Sequence, residues 1–224
     1  MRRLCQEDHD LVTAAVTRAE RESDGEIVTI VAAGSDPYRD VALHYAVLVM
    51  LIVPAKLALL PQGWIDWAAG LAFGWNAEPS RGGLMLVLVV LQVLAFLLVR
   101  LILLYLPLRM ALTPGRTKSR RVHRRAIELF RTGCELKTRG RTGVLLYLSL
   151  LEHRAEIVAD KAIADQVEPE VWGEAMALLV DEVKAGRPGE GMTQAVEKIG
   201  AVLARILPKT LDDPNELPDR LVEL

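Results

Sequence analysis

Residues 140–164 read GRTGVLLYLSLLEHRAEIVADKAIA, and how this stretch turns decides the fold. VLLYLSLL (144–151) is almost unbroken in apolar character, which marks a strand covered on both faces. Gly140 and Gly143 bracket its entry, and a charged corner, Glu152-His153-Arg154, ends it. AEIVA (155–159) returns at once, close enough for an antiparallel hairpin. Upstream, the Asp24-Gly25 turn precedes EIVTIVAA (26–33), a short strand of β-branched residues. One such strand cannot stand as a domain. It is therefore expected to pair with the later hairpin, across a long intervening segment of different character.

That segment begins after Pro37. Val41 to Leu60 is apolar apart from His44, Tyr45 and Lys56, and Leu84 to Leu106 is broken only by Gln92, Arg100 and Tyr105. At roughly 1.5 Å per residue each is long enough to cross a hydrocarbon core. Over 224 residues the chain is 51% hydrophobic and 25% charged with a mean hydropathy of +0.24, a mixture that makes sense if apolar residues are concentrated beside a soluble domain. Arg109, Arg116, Lys118, Arg120, Arg121, Arg124 and Arg125 follow the second span, whereas Pro61 to Arg81 has Arg81 as its one basic residue. The positive-inside rule then places both termini in the cytoplasm and the connecting loop outside, in the inner (plasma) membrane. Trp64, Trp67 and Trp75 in that loop suit interfacial anchoring, and Arg100 and Lys56 can snorkel to their nearer interface. A lipid bilayer is thus the first partner expected.

Other signals bound the remaining function classes. MRRLCQEDHD carries two arginines without an apolar core, so no secretory signal is expected. Cys5 and Cys134 lie far apart with no metal or redox spacing. A net charge of −2 gives no nucleic-acid footprint, and no aromatic residue interleaves the basic run RTKSRRVHRR (116–125). That run reads as a stop-transfer flank, compatible with anionic headgroups.

Around these elements, helical periodicity supplies the rest of an α/β domain. Leu11, Val12, Ala15, Val16 and Ala19 form one apolar stripe, and Ala126, Ile127, Leu129 and Phe130 another. Glu168-Pro169 starts a third helix, which Gly186 and Pro188 stop. The last helix runs from Met192 to Ile206, before Pro208. The expected organisation is 1–38 (helix and first strand), 39–112 (transmembrane hairpin, spans near 41–60 and 84–106), 113–208 (rest of the domain) and 209–224 (flexible tail).

In order, the SDGEIV strand, the helix ending AIELF, GRTGVLLYLSLLEHRAEIVADKAI and EVWGEAMALLVDEVKAGRPGEGMTQAVEKIGAVLARILP resemble the TPM domain family. The resemblance is to its bacterial membrane branch, in which a transmembrane pair interrupts the domain. It implies a three-layer α/β/α fold. Its members include thylakoid-lumen proteins tied to photosystem II repair, an animal receptor accessory protein and proteins credited with acid phosphatase activity. Many relatives carry a Gly-rich VGYGLE-like turn where this chain reads VADKAI, Val158 to Ile163.

The first function this implies is an interaction, assembly or quality-control module for membrane proteins, with membrane-protein partners or further copies of itself. A metal-dependent phosphatase-like hydrolase is the alternative. Parallel first and second strands would bring Ser35 and Asp36 beside Glu152 and His153 at the carboxyl edge where open α/β sheets bind ligands. Asp36, Glu152 and Asp160 would then hold Ca²⁺ or Mg²⁺, with Arg154 on a phosphoryl group. Asp160 would have to reach across the sheet to join them, and it equally suits a helix cap. The chain has no P-loop, nucleophile elbow or HExxH. Solute transport, a third reading, would need Arg100 or Lys56 inside an oligomer.

Overall fold

The computed structural model describes residues 4–75, 80–133, 142–210 and 217–224. Cys134 and Gly140 lie outside them. The chain divides into two compact units, Met1–Asp36 with Gly115–Leu224, and Pro37–Pro114.

The first unit is built on a four-stranded sheet ordered β3-β2-β1-β4. β1 (Glu26–Ala32) and β2 (Gly143–Ser149) run parallel in the register Glu26↔Gly143 to Ala32↔Ser149. β3 (Arg154–Ala159) returns antiparallel, with Ser149 opposite Arg154. Both central strands are buried along their whole length, which is why their sequences do not alternate. The pleat still sorts them. Ile27, Val31, Val144, Leu146 and Leu148 join one apolar cluster with α1 (Gln6–Glu22), α8 (Pro169–Lys184) and α9 (Pro188–Ile206). Val28, Ile30, Ala32, Leu145 and Tyr147 join a second cluster, where Val122, Ala126 and Phe130 of α6 (Gly115–Gly133) sit four residues apart on one helix face. α7 (Lys161–Ala164) follows β3. α1 and α9 approach closely at Gly200, where a Cβ would lie 2.6 Å from Ala19 Cβ.

The end of the chain differs from the expected loose tail. Val222–Glu223 forms β4, parallel to β1, with Leu224 N–H donating to Val31 C=O at 2.9 Å. Leu217 and Leu221 are buried, and Thr17 Oγ1 donates to Asp219 at 2.6 Å. Two leucines separated by one proline and two charged residues look too dilute for a strand, but only two residues need to pair once both leucines are packed.

The second unit contains α2 (Arg39–Ala58), α3 (Gln62–Phe73), α4 (Arg81–Ile102) and α5 (Leu106–Leu112). α2 and α4, of 20 and 22 residues with hydropathies of 2.0 and 2.8, are long and apolar enough to cross a membrane. They pack on each other, and Gln92 Nε2 donates to Met50 C=O at 3.4 Å. Leu51, Leu86, Leu98 and Leu101 remain exposed, an apolar surface that water would penalise. The segment read as a loop contains the apolar helix α3, and its Trp64 and Trp67 stack edge-to-face with centroids 6.3 Å apart. All three loop tryptophans are exposed. Arg100 falls in the last turn of α4 and Lys56 in the last turn of α2.

Candidate functional site

Parallel pairing of β1 and β2 brings their carboxyl ends together, and the residues that follow each strand meet there. Past Ala32, the ladder continues through Leu150 N–H to Ala32 C=O at 3.0 Å and Leu151 N–H to Ala33 C=O at 3.1 Å. This holds Ser35 against the Leu150–His153 corner. His153 adopts φ 48°, the left-handed geometry that reverses the chain into β3, and its side chain stays exposed.

Glu152, the first residue of the charged corner, points inward. Glu152 is 7% exposed and accepts from Ser35 N–H at 3.1 Å and from the Ser149 hydroxyl. Ser35 Oγ lies 3.0 Å from the Tyr147 hydroxyl. Burial raises the Tyr147 phenol above its ordinary value; the Ser35 hydrogen bond opposes that and the Glu152 charge adds to it. Asp36 accepts from Arg121 Nη1 of α6 at 2.7 Å, and Arg124 Nη2 lies 3.9 Å away. Arg154, at the start of β3, is different. Its Nε is buried with no hydrogen-bond partner among the described residues, and its Nη2 lies 3.5 Å from where a Cβ on Gly115 would sit.

Of the expected site residues, Asp36, Glu152 and Arg154 therefore share one edge of the sheet. Asp160 does not. It follows β3 at the opposite edge, where Val144 pairs with Ala159. There its carboxylate accepts from Gly143 N–H at 3.0 Å, while its own N–H donates to Gly143 C=O at 3.0 Å. It is the N-cap residue of α7 by position, yet its side chain makes no capping bond. The antiparallel return of β3 is the physical reason: six paired residues put about 20 Å between the two edges. No group of three or more His, Cys, Asp or Glu able to hold a metal occurs among the described residues. The Ca²⁺ or Mg²⁺ set of Asp36, Glu152 and Asp160 is thus not assembled.

The arrangement's chemistry follows from what each group already does. Ser149 is fully buried, so its hydroxyl cannot meet a substrate, and its contact with Glu152 closes the corner. Asp36 forms a largely buried ion pair with Arg121. These hydroxyls and carboxylates hold the ends of two strands and one helix together. Arg154 differs from them in keeping a buried Nε with no hydrogen-bond partner among the described residues.

A second polar cluster, unremarked in the sequence, lies at the amino end of β1. Glu20 Oε1 accepts from Ile27 N–H at 2.8 Å, while Oε2 is buried without a hydrogen-bond partner among the described residues. Burial is the largest cause of a carboxyl pKa pushed up from 4.5 to about 8, with Glu26 and Asp219 adding to it and the Ile27 bond opposing it. Nearby, Asp24 accepts from Thr210 N–H at 2.8 Å and from its hydroxyl at 2.7 Å, which lowers its pKa. The helix register of Glu20 marks it as a boundary residue. Only the fold shows that the tail covers it.

No protein-family model matches the chain, and no curated protein sequence does. Among solved structures, it is similar to the NMR structure of BA42 protein from the psychrophilic bacterium Bizionia argentinensis, at 17% identity with a TM-score of 0.56. The likeness covers 100% of this chain and 97% of that one, and at this identity it speaks to the fold alone.

Proposed function

We propose that this protein is a membrane-anchored interaction module: a three-layer, TPM-like α/β/α unit that assembles with or stabilises membrane proteins. The observation that supports it best is the state of the sheet's carboxyl edge. Glu152 is occupied by Ser35 and Ser149, and Asp36 by Arg121, so the acids a hydrolase would use serve instead to close the unit. The hairpin supports anchoring. If α2 and α4 cross the bilayer, the α/β unit contributed by both flanks must lie on one side, and the excess of Arg and Lys after α4 makes that side the cytoplasm of a two-span inner-membrane protein.

The test separates module from enzyme. A photoreactive residue at exposed Leu178 of α8 should crosslink a discrete membrane protein in native membranes, and Leu178→Glu should remove that product without lowering Tm. Hydrolysis of p-nitrophenyl phosphate with Ca²⁺ or Mg²⁺ should stay at background. Metal-dependent hydrolysis that disappears in Asp36→Ala, with folding intact, would overturn the proposal in favour of a phosphatase.

A further inference from the structure

α6 is built against its own electrostatics. Its first turn has no acidic residue, yet Arg116, Lys118, Arg120 and Arg121 crowd the end where the helix dipole already presents positive charge. Only part of this charge is answered within the protein. Arg121 pairs with Asp36, Arg124 reaches Asp36 and Glu128, and Arg125 reaches Glu128. Arg116, Lys118 and Arg120 have no ion-pair partner among the described residues, and Arg116 and Arg120 stand exposed four residues apart on one stripe. Arg154 lies at the Gly115 end of this helix, with its buried Nε lacking an acceptor among the described residues.

We infer that the first three turns of α6 together with Arg154 form a docking surface for the phosphate of an anionic lipid headgroup. Arg154 is the fixed donor, because its buried Nε orients the guanidinium. Arg116, Lys118 and Arg120 supply mobile charge around it. A lipid rather than a soluble anion is indicated by chain continuity: Gly115 follows the end of α4 by about a dozen residues, within the interval over which flanking cations act on a bilayer. The inference rests on the membrane anchoring described above and needs no protein partner.

The test uses the full chain in a neutral detergent, titrated with phosphatidylglycerol or phosphatidylcholine and followed by native mass spectrometry and Tm. Phosphatidylglycerol should bind at least about tenfold more tightly at low salt, with the preference shrinking as salt rises. Arg116→Gln with Arg120→Gln should weaken it about fivefold per charge removed. Both positions are exposed, so this pair keeps the test decisive even where Arg154→Gln disturbs folding. Lys184→Gln with Arg205→Gln, exposed cations on α8 and α9, should leave it unchanged. Equal binding of the two lipids, or an undiminished preference in the Arg116/Arg120 variant, would overturn the inference. Displacement by inorganic phosphate at matching concentration would assign the surface to a soluble anion and overturn the lipid assignment.

Discussion

Glu20→Gln tests the cluster beneath the C-terminal segment. In the folded chain the Glu20 carboxyl holds its proton up to about pH 8, against an ordinary value of 4.5. A raised carboxyl pKa means the fold binds the proton more tightly than the unfolded chain does. The stabilisation this gives is fully present below pH 4.5 and is lost as pH rises toward 8. Full conversion of that interval would be about 5 kcal/mol at 1.36 kcal/mol per pKa unit. Glu20 is only partly buried, so solvent screening reduces the expected loss to about 2 kcal/mol. A glutamine has no proton to lose. Its oxygen can still accept from Ile27 N–H, and its amide can donate toward Asp219 and Glu26. Relative to wild type, the variant should be within about 0.5 kcal/mol at pH 5 and more stable by about 2 kcal/mol at pH 9, or roughly 4–8 °C in Tm for a unit of this size. Thermal melting of the detergent-solubilised chain from pH 5 to 9 measures this. The lowered pKa of Asp24 affects both proteins alike and cancels in the difference. A difference that is constant with pH, or that grows toward acid, refutes the reasoning.

Substitutions at Glu152, His153 and Gly200 probe the frame of the α/β unit. Glu152→Ala strips the acceptor from the fully buried Ser149 hydroxyl and from Ser35 N–H, and should cost about 3 kcal/mol in denaturant unfolding. Glu152→Gln, which retains an acceptor, should cost about half as much. His153→Gly relieves a left-handed residue and should gain up to about 1 kcal/mol, whereas His153→Val should lose at least that much; equal midpoints for the two would contradict the corner geometry. Gly200→Ala places its Cβ 2.6 Å from Ala19 Cβ and should cost about 1–3 kcal/mol. Ala19→Gly should recover much of that loss, as a double-mutant cycle would show.

How much of this was readable in the sequence depends on the range of the interactions. The unalternating run 144–151, the corner and the return to Ala159 are local patterns, and so are the two long apolar helices. Each is set by residues within one or two turns or strands. The pairing of β1 with β2 was also legible, because a lone seven-residue strand needs a partner. The site was less so. That Glu152 turns inward to Ser35, and that Asp36 meets Arg121, depends on contacts 117 and 85 residues apart in sequence. No spacing rule encodes such contacts. Asp160 is the opposite case: the reversal at the corner is local and legible, and with it the need for Asp160 to reach across the sheet, and β3 does carry it to the far edge. β4 is not legible because what seats it is the burial of Leu217 and Leu221, which precede it, rather than its own two residues.

The same topology makes the hairpin separable. A parallel strand pair needs a crossover of about a dozen residues, normally a helix. The 19-residue α6 meets that need alone, since its Val122, Ala126 and Phe130 cover the sheet between β1 and β2. The Asp36 carboxylate lies 2.7 Å from the guanidinium of Arg121, which is six residues, or about 9 Å of helix rise, beyond Gly115. The open ends are then bridgeable by about eight flexible residues, which reach up to about 26 Å. Replacing residues 37–114 with a Gly/Ser linker of that length should yield a water-soluble unit with mixed helix and strand circular dichroism and one cooperative melt. Arg121→Ala should weaken this shortened protein by about 1–3 kcal/mol, because the Asp36 pair would then be the tie that seats the linker. Aggregation of the shortened protein, or a melt without cooperativity, would mean that the hairpin contributes to folding of the α/β unit. The crossover would then not be complete with α6 alone.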